Sequence, residues 1–164
     1  MNSLWLIIVP MMIAAFLFFF IRRKLEFPYR TQSRLLTKAE SVFFKHLVNT
    51  LEPQYRVHCA VRVADILAVK KGFSFDRRAL YRITSKHCDY VISSPDASTI
   101  YAAIELDDKS HERPDRRRRD IFLDKAFKSA GLPLHRYPVS NRYNLQGLIS
   151  ELNRNQSAVS MLAK

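Results

Sequence analysis

Three carboxylates and a histidine carry the chemistry that this sequence could perform. Asp89 stands in the apolar run "CDYVIS". Glu105 and Asp107 close the run "IYAAIELD", and His111 follows Asp107 by four residues. Four consecutive arginines come directly behind: Arg116, Arg117, Arg118 and Arg119. Carboxylates gathered at strand ends repel one another unless a cation lies between them. Their oxygens, completed by water, suit Mg²⁺ or Mn²⁺. A metal held in this way polarises a phosphodiester and supplies hydroxide at neutral pH. An imidazole titrates near neutrality, which suits His111 to act as general base or to position water. The arginines would meet phosphate at the start of a helix, where the dipole also favours an anion.

Each of these residues also has a plainer reading. Asp107 and Asp108 could end a strand and begin a turn, and Asp89 could sit at an exposed strand start. A histidine in a polar loop is usually solvated, and an arginine run is usually a solvated helix face. Helical geometry spreads Arg116 to Arg119 around the axis, so only some can face a groove. Asp120 stands four residues after Arg116 and could pair with it. Lys125 suits either reading. Glu105 resists the plain account, because it follows the core-like stretch Tyr101-Ala-Ala-Ile104, where a carboxylate needs a partner.

The elements that must position these residues follow from periodicity. "CDYVIS" and "IYAAIEL" flank "SPDAS", whose Pro95 and Asp96 form turns, so a β-hairpin brings Asp89 opposite the Glu105–Asp107 end. Alternation puts Glu105 and Asp107 on one face. "RPDRRRRDIFLDKAFKSAG" reads as a helix with Pro114 in its first turn and Gly131 just past its end. "LPLHRYPV" is a short strand and "YNLQGLISELNR" a helix. Upstream, "TKAESVFFKHLVNTLEP" is an amphipathic helix. Thr37 and Glu40 form its capping box, Val42, Phe43, Leu47 and Leu51 form its apolar face, and Pro53 ends it. "YRVHCAVRVADILAV" alternates, with Tyr55, Val57, Cys59, Val61 and Val63 on one side. "FDRRALYRITSKH" is a helix with Asp76 at its N-cap and Leu80 and Ile83 facing the core. The order helix, strand, helix, strand, strand, helix, strand, helix predicts an α/β sandwich with a small mixed sheet.

The 164 residues carry 27 Lys and Arg against 15 Asp and Glu, a net charge of +12. That excess implies a polyanionic partner, either nucleic acid or an anionic membrane face. The stretch "LWLIIVPMMIAAFLFFFI" has no charged side chain and roughly spans a hydrocarbon core of about 30 Å. It ends in Arg22-Arg23-Lys24. No basic segment precedes it and no small-x-small site follows, so a membrane anchor fits better than a signal peptide. The positive flank predicts a single-pass protein of the inner or plasma membrane, with the N-terminus outside and the domain in the cytoplasm. Cys59 and Cys88 have no metal-ligand spacing and read as small buried hydrophobes. The resulting division is an anchor with its basic flank at 1–24, a linker at 25–36, an α/β domain at 37–153 and a tail at 154–164.

The string from "CDYVIS" through "AAIELDDKSHERPDRRRRDIFLDKAFKSAGLPLHRYPV" resembles domain-of-unknown-function family 2726. That family is similar to the PD-(D/E)XK nucleases, near the very-short-patch-repair endonucleases. The resemblance covers roughly residues 35 to 139 and implies a restriction-endonuclease-like sandwich. It implies metal-binding roles for Asp89 and Glu105, matches His111 to the motif histidine, and matches Arg119 and Asp120 to an Arg-Asp pair on the following helix. Glu40 matches an acid found on the superfamily's first helix, which the capping box explains equally well. Asp107 stands where many members carry lysine. His111 or Lys125 would have to fill that role, or the domain binds without cutting.

The leading expectation is therefore a membrane-anchored, Mg²⁺- or Mn²⁺-dependent phosphodiester hydrolase. Asp89, Glu105 and Asp107 would hold the metal. His111 would act on water, and Arg116, Arg117, Arg118, Arg119 and Lys125 would contact nucleic acid, DNA ahead of RNA. The alternatives are a degenerate nucleic-acid-binding module and a basic membrane-surface protein.

Overall fold

A computed structural model describes residues 4–25, 27–70, 72, 77–107 and 114–162, with side chains at 4–23, 27–70, 72, 77–107 and 117–157. The chain forms two units, Met1–Leu35 and Leu36–Lys164.

The first unit is built on helix α1 (Trp5–Leu25), with Pro10 inside it. Its stretch Trp5–Arg23 has a mean hydropathy of 2.3, long and apolar enough to cross a membrane. Arg22 and Arg23 lie over the rings of Phe18 and Phe19 at 5.5 and 5.9 Å, so their stems run back along the apolar helix.

The second unit runs α2 (Lys38–Leu51), β1 (Arg56–Arg62), α3 (Val63–Ile66), α4 (Arg77–Thr84), β2 (His87–Ser93), β3 (Ile100–Asp107), α5 (Pro114–Ala130), β4 (Leu134–Pro138) and α6 (Gln146–Leu162). The strands form one mixed sheet in the order β1-β2-β3-β4. The first three are antiparallel, and β4 joins β3 in parallel after the α5 crossover. The β2–β3 turn is made by Asp96, whose Oδ1 accepts from the Ser98 N–H at 3.1 Å and the Ser98 hydroxyl at 2.9 Å. Helix α5 ends in a Schellman motif. Gly131 sits at φ 72°, its N–H reaches the Lys128 carbonyl, and the Leu132 N–H reaches that of Phe127.

Helices cover both faces of the sheet. Tyr90, Ile92, Ile104 and Leu106 face α2 and α6, packing with Phe43, Leu47, Leu148 and Leu152. Val91 and Ala103 face the other way, onto Leu123 and Phe127 of α5 and Ile83 of α4. Because side chains alternate, Asp89, Glu105 and Asp107 fall on the side of the sheet that carries α5.

Several expectations are corrected. Strand β1 stops at Arg62 and the chain turns into the one-turn helix α3. Its alternation also breaks, because Ala60 adopts φ 54°. Val57 and Cys59 join the α2–α6 core, whereas Val61 and Val63 join the α5 core. Such a left-handed alanine is strained by roughly 1 kcal/mol or more. Val42 and Leu80 are exposed (47 % and 48 %), while Phe43, Leu47, Leu51 and Ile83 are buried as expected. The predicted cap Asp76 lies outside the described residues. The capping box on α2 is formed: the Thr37 N–H donates to Glu40 Oε2 at 2.8 Å and the Glu40 N–H to Thr37 Oγ1 at 3.3 Å.

Candidate active site

Strands β2 and β3 bring two acids together. Their register ends at Tyr90↔Ile104, and one further step sets Asp89 against Glu105. There the Asp89 carboxylate takes over from the backbone ladder, its Oδ2 accepting the Leu106 N–H at 2.7 Å. Glu105 is 2 % exposed on a strand otherwise lined by core residues. Burial, then the charge of Asp89, push its pKa up to about 7, against the pull of Arg119 and Arg136. Burial also raises Asp89, with Glu40 and Asp107 adding to the shift and the Leu106 N–H and Arg119 opposing it. Glu105 is thus poised to exchange a proton near neutrality.

Two arginines answer this negative charge from different elements. Arg119 of α5 sets Nη2 3.3 Å from both Glu105 oxygens and 3.0 Å from the His87 carbonyl. Arg136 is the parallel cross-strand neighbour of Glu105 on β4. Its Nη1 lies 3.0 Å from Asp107 Oδ1 and 3.5 Å from the buried Asp120 Oδ1. Its Nη2 and Nε both lie 3.2 Å from Asp124 Oδ1. Burial lowers the pKa of Arg136, but Asp124, Asp107 and Asp120 together overcome this and raise it.

The sequence-predicted residues therefore separate. Asp89 and Glu105 meet. Asp107 lies at the same strand end but turns to Arg136, and its charge still reaches Asp89. Asp120 lies between the two arginines, its Oδ1 3.5 Å from Arg136 Nη1 and 4.0 Å from Arg119 Nη1. Arg119, expected on phosphate, is turned inward onto Glu105. Arg117 is exposed, and Arg118 and Lys125 line a separate cleft with Arg82 and Phe122. His111 and the side chain of Arg116 lie outside the described residues, and with Arg116 the expected Arg116–Asp120 pair. Glu40 makes the helix cap and also loads Asp89 electrostatically. Sequence reasoning assigned no role to Arg136, although a signal was present. A guanidinium within "LPLHRYPV" needs buried acceptors for the same reason that Glu105 needs a donor.

Among the described residues, no three His, Cys, Asp or Glu side chains are gathered closely enough to hold a metal ion. Two acids, Asp89 and Glu105, would be the carboxylates open to a magnesium-type ion, which commonly takes one or two together with water. It does not fit a closed three-carboxylate cage.

A four-stranded mixed sheet between helices, with the half-buried Asp89 and the buried Glu105 answered by arginines, defines an α/β domain with a charged strand-end site. Residues 32–155 match the family model for proteins of unknown function DUF2726, and the chain belongs to that family. No curated protein and no solved structure matches the chain.

Proposed function

We propose that the domain is a divalent-metal-dependent phosphodiester hydrolase of restriction-endonuclease-like fold, acting on nucleic acid, DNA ahead of RNA. One observation carries the reading. Glu105 is a buried carboxylate with its pKa pushed to about 7, set against Asp89 and touched by Arg119 of α5. Structural carboxylates are seldom kept this destabilised without a partner cation or proton to receive. Asp89 and Glu105 would hold Mg²⁺ or Mn²⁺, which when bound supplies Lewis acidity and an acidified water. Arg119 neutralises Glu105, and would be free to meet phosphate if a cation took over that role. Arg136 keeps Asp107, Asp120 and Asp124 from repelling the substrate. The finer fold assignment and the choice of DNA rest on the motif resemblance.

The test is cleavage of plasmid and single-stranded DNA by the full chain in detergent with Mg²⁺ or Mn²⁺. Asp89→Ala and Glu105→Ala should each lower the rate at least about 100-fold. No cleavage, or cleavage unchanged in both variants, overturns the reading.

A second reading is a metal-free nucleic-acid-binding module. It is favoured by the cations already seated on the acids, Arg119 on Glu105 and Arg136 on Asp107. It calls for salt-sensitive binding that survives a chelator and Glu105→Gln, without cleavage.

For location we propose a single-pass protein of the inner or plasma membrane, N-terminus outside and domain in the cytoplasm. The Arg22-Arg23-Lys24 flank after the apolar helix supports it. Both cysteines are free, as suits a reducing compartment. Protease added to sealed right-side-out vesicles should leave residues 36–164 intact.

A further inference from the structure

The rim where α4 and β2 meet α5 collects positive charge around one aromatic ring. Arg82 lays its guanidinium 4.0 Å from the centre of the Phe122 ring, and the Lys86 ammonium lies 5.0 Å from the same centre. A cleft opens beside that ring. Ile121, Phe122 and Ala126 line it with carbon, and Arg82, Arg118 and Lys125 line it with cations. The crowding is electrostatically unfavourable. Burial, then the charges of Arg82 and Arg119, lower the pKa of Lys86. Like charges held together in this way are relieved by an anion. Arg119 links the cleft to the acid pair, since it acts on Lys86 and touches Glu105.

We propose that this cleft holds an unstacked nucleotide of a single-stranded nucleic acid, its base against the carbon wall of Ile121 and Ala126 beside the Phe122 ring and its phosphate on Arg82 and Lys125. The inference takes its substrate class from the phosphodiester reading above. The carbon lining is what selects a single strand. A duplex hides its base faces and presents phosphates, so it would use the cations and leave the apolar surface idle. A splayed strand uses both, through apolar contact of its base and charge on its phosphate together.

The full chain in zwitterionic nanodiscs, with a chelator present, is titrated with labelled oligothymidylate of about 20 nucleotides and with a duplex of equal length. The single strand should bind about tenfold tighter than the duplex or better. The double substitution Arg82→Gln, Lys125→Gln should weaken single-strand binding at least about tenfold and lower the salt slope by about 1.4. Lys125→Gln alone should lower it by about 0.7. Lys45→Gln, on the exposed side of α2, should change neither. No oligonucleotide binding, equal or tighter binding of duplex, or binding unmoved by the double substitution overturns the inference. So does anionic phosphatidylglycerol in the nanodisc competing through the same two residues. The chelated assay reads binding alone. A strand bound through Arg82 and Lys125 but never cut with Mg²⁺ or Mn²⁺ ends the hydrolase reading and leaves this one standing. Cutting that ignores the double substitution does the reverse.

Discussion

Arg119 places one guanidinium nitrogen 3.3 Å from both carboxylate oxygens of Glu105. The Arg119 side chain is 33 % exposed and that of Glu105 only 3 %. The arrangement therefore protects the acid more than it anchors the base. A buried carboxylate that loses its cation either stays charged at a large penalty or takes up a proton.

Arg119→Ala should accordingly destabilise the domain in a pH-dependent way. At pH 8, where Glu105 is ionised, the loss should be about 3 kcal/mol or more, the range for breaking a buried pair. At pH 5.5 a protonated Glu105 no longer needs the guanidinium, and the loss should fall to about 1 kcal/mol. Thermal unfolding of the full chain at the two pH values reads the difference. An equal loss at both would mean that Arg119 acts through packing alone.

Glu105 also sets a sign for the pH dependence of stability. Its folded pKa is raised from 4.5 to about 7, so the folded state holds a proton that the unfolded chain has released. Its contribution is complete below about 4.5, declines as pH rises, and is gone above about 7. The span is on the order of 3 kcal/mol at most. Asp89, also raised, slopes the same way. Asp96, held at about 2 by the Ser94 and Ser98 hydrogen bonds, matters only at much lower pH. Glu105→Gln should therefore flatten stability between pH 5 and 7. Unfolding curves that keep the same slope in wild type and variant would contradict the shift.

Glu40 has two roles that one substitution can separate. Glutamine preserves the capping box, since its amide oxygen still accepts the Thr37 N–H, but removes the charge that raises Asp89. Glu40→Gln should change stability by less than about 0.5 kcal/mol and lower the Asp89 pKa. Thr37→Ala should cost about 1 kcal/mol with little effect on Asp89. Carbon-13 resonances of the Asp89 carboxyl, followed through a pH titration, distinguish them.

The parts of this fold legible in the sequence are those set by local chemistry. The Thr37–Glu40 cap, the Asp96 turn and the Gly131 helix end each need only a few neighbouring residues, and each forms as read. The Asp89–Glu105 meeting is legible too, because a short connection forces the two strands to pair as a hairpin. What escaped depended on distant contacts. Val42 and Leu80 fit helical spacing, yet both are exposed. The break at Ala60 comes from β1 serving two cores at once, which no alternation pattern announces. The resemblance marks Arg119 as half of an Arg-Asp pair, but the run itself assigns it to phosphate. Only the packing of α5 on β3 turns it onto Glu105.

Arg136 holds the other half of the charge network, and its removal tests what that network is for. It stands between Asp107, Asp120 and Asp124, at 3.0, 3.5 and 3.2 Å. With its side chain 23 % exposed, screening by water reduces each pair, so Arg136→Met should cost on the order of 2–3 kcal/mol rather than the sum of three buried bridges. The three acids would then each lose this guanidinium, close to Asp89 and Glu105. A divalent cation should take its place. Mg²⁺ or Mn²⁺ at millimolar concentration should raise the melting temperature of the variant more than that of wild type, by mass action on the folded state. Monovalent salt at matched ionic strength should recover only the screened part. If Mg²⁺ stabilises both proteins equally, Arg136 is a purely structural clamp. If the variant gains more, the strand end is a cation site for which arginine and metal compete.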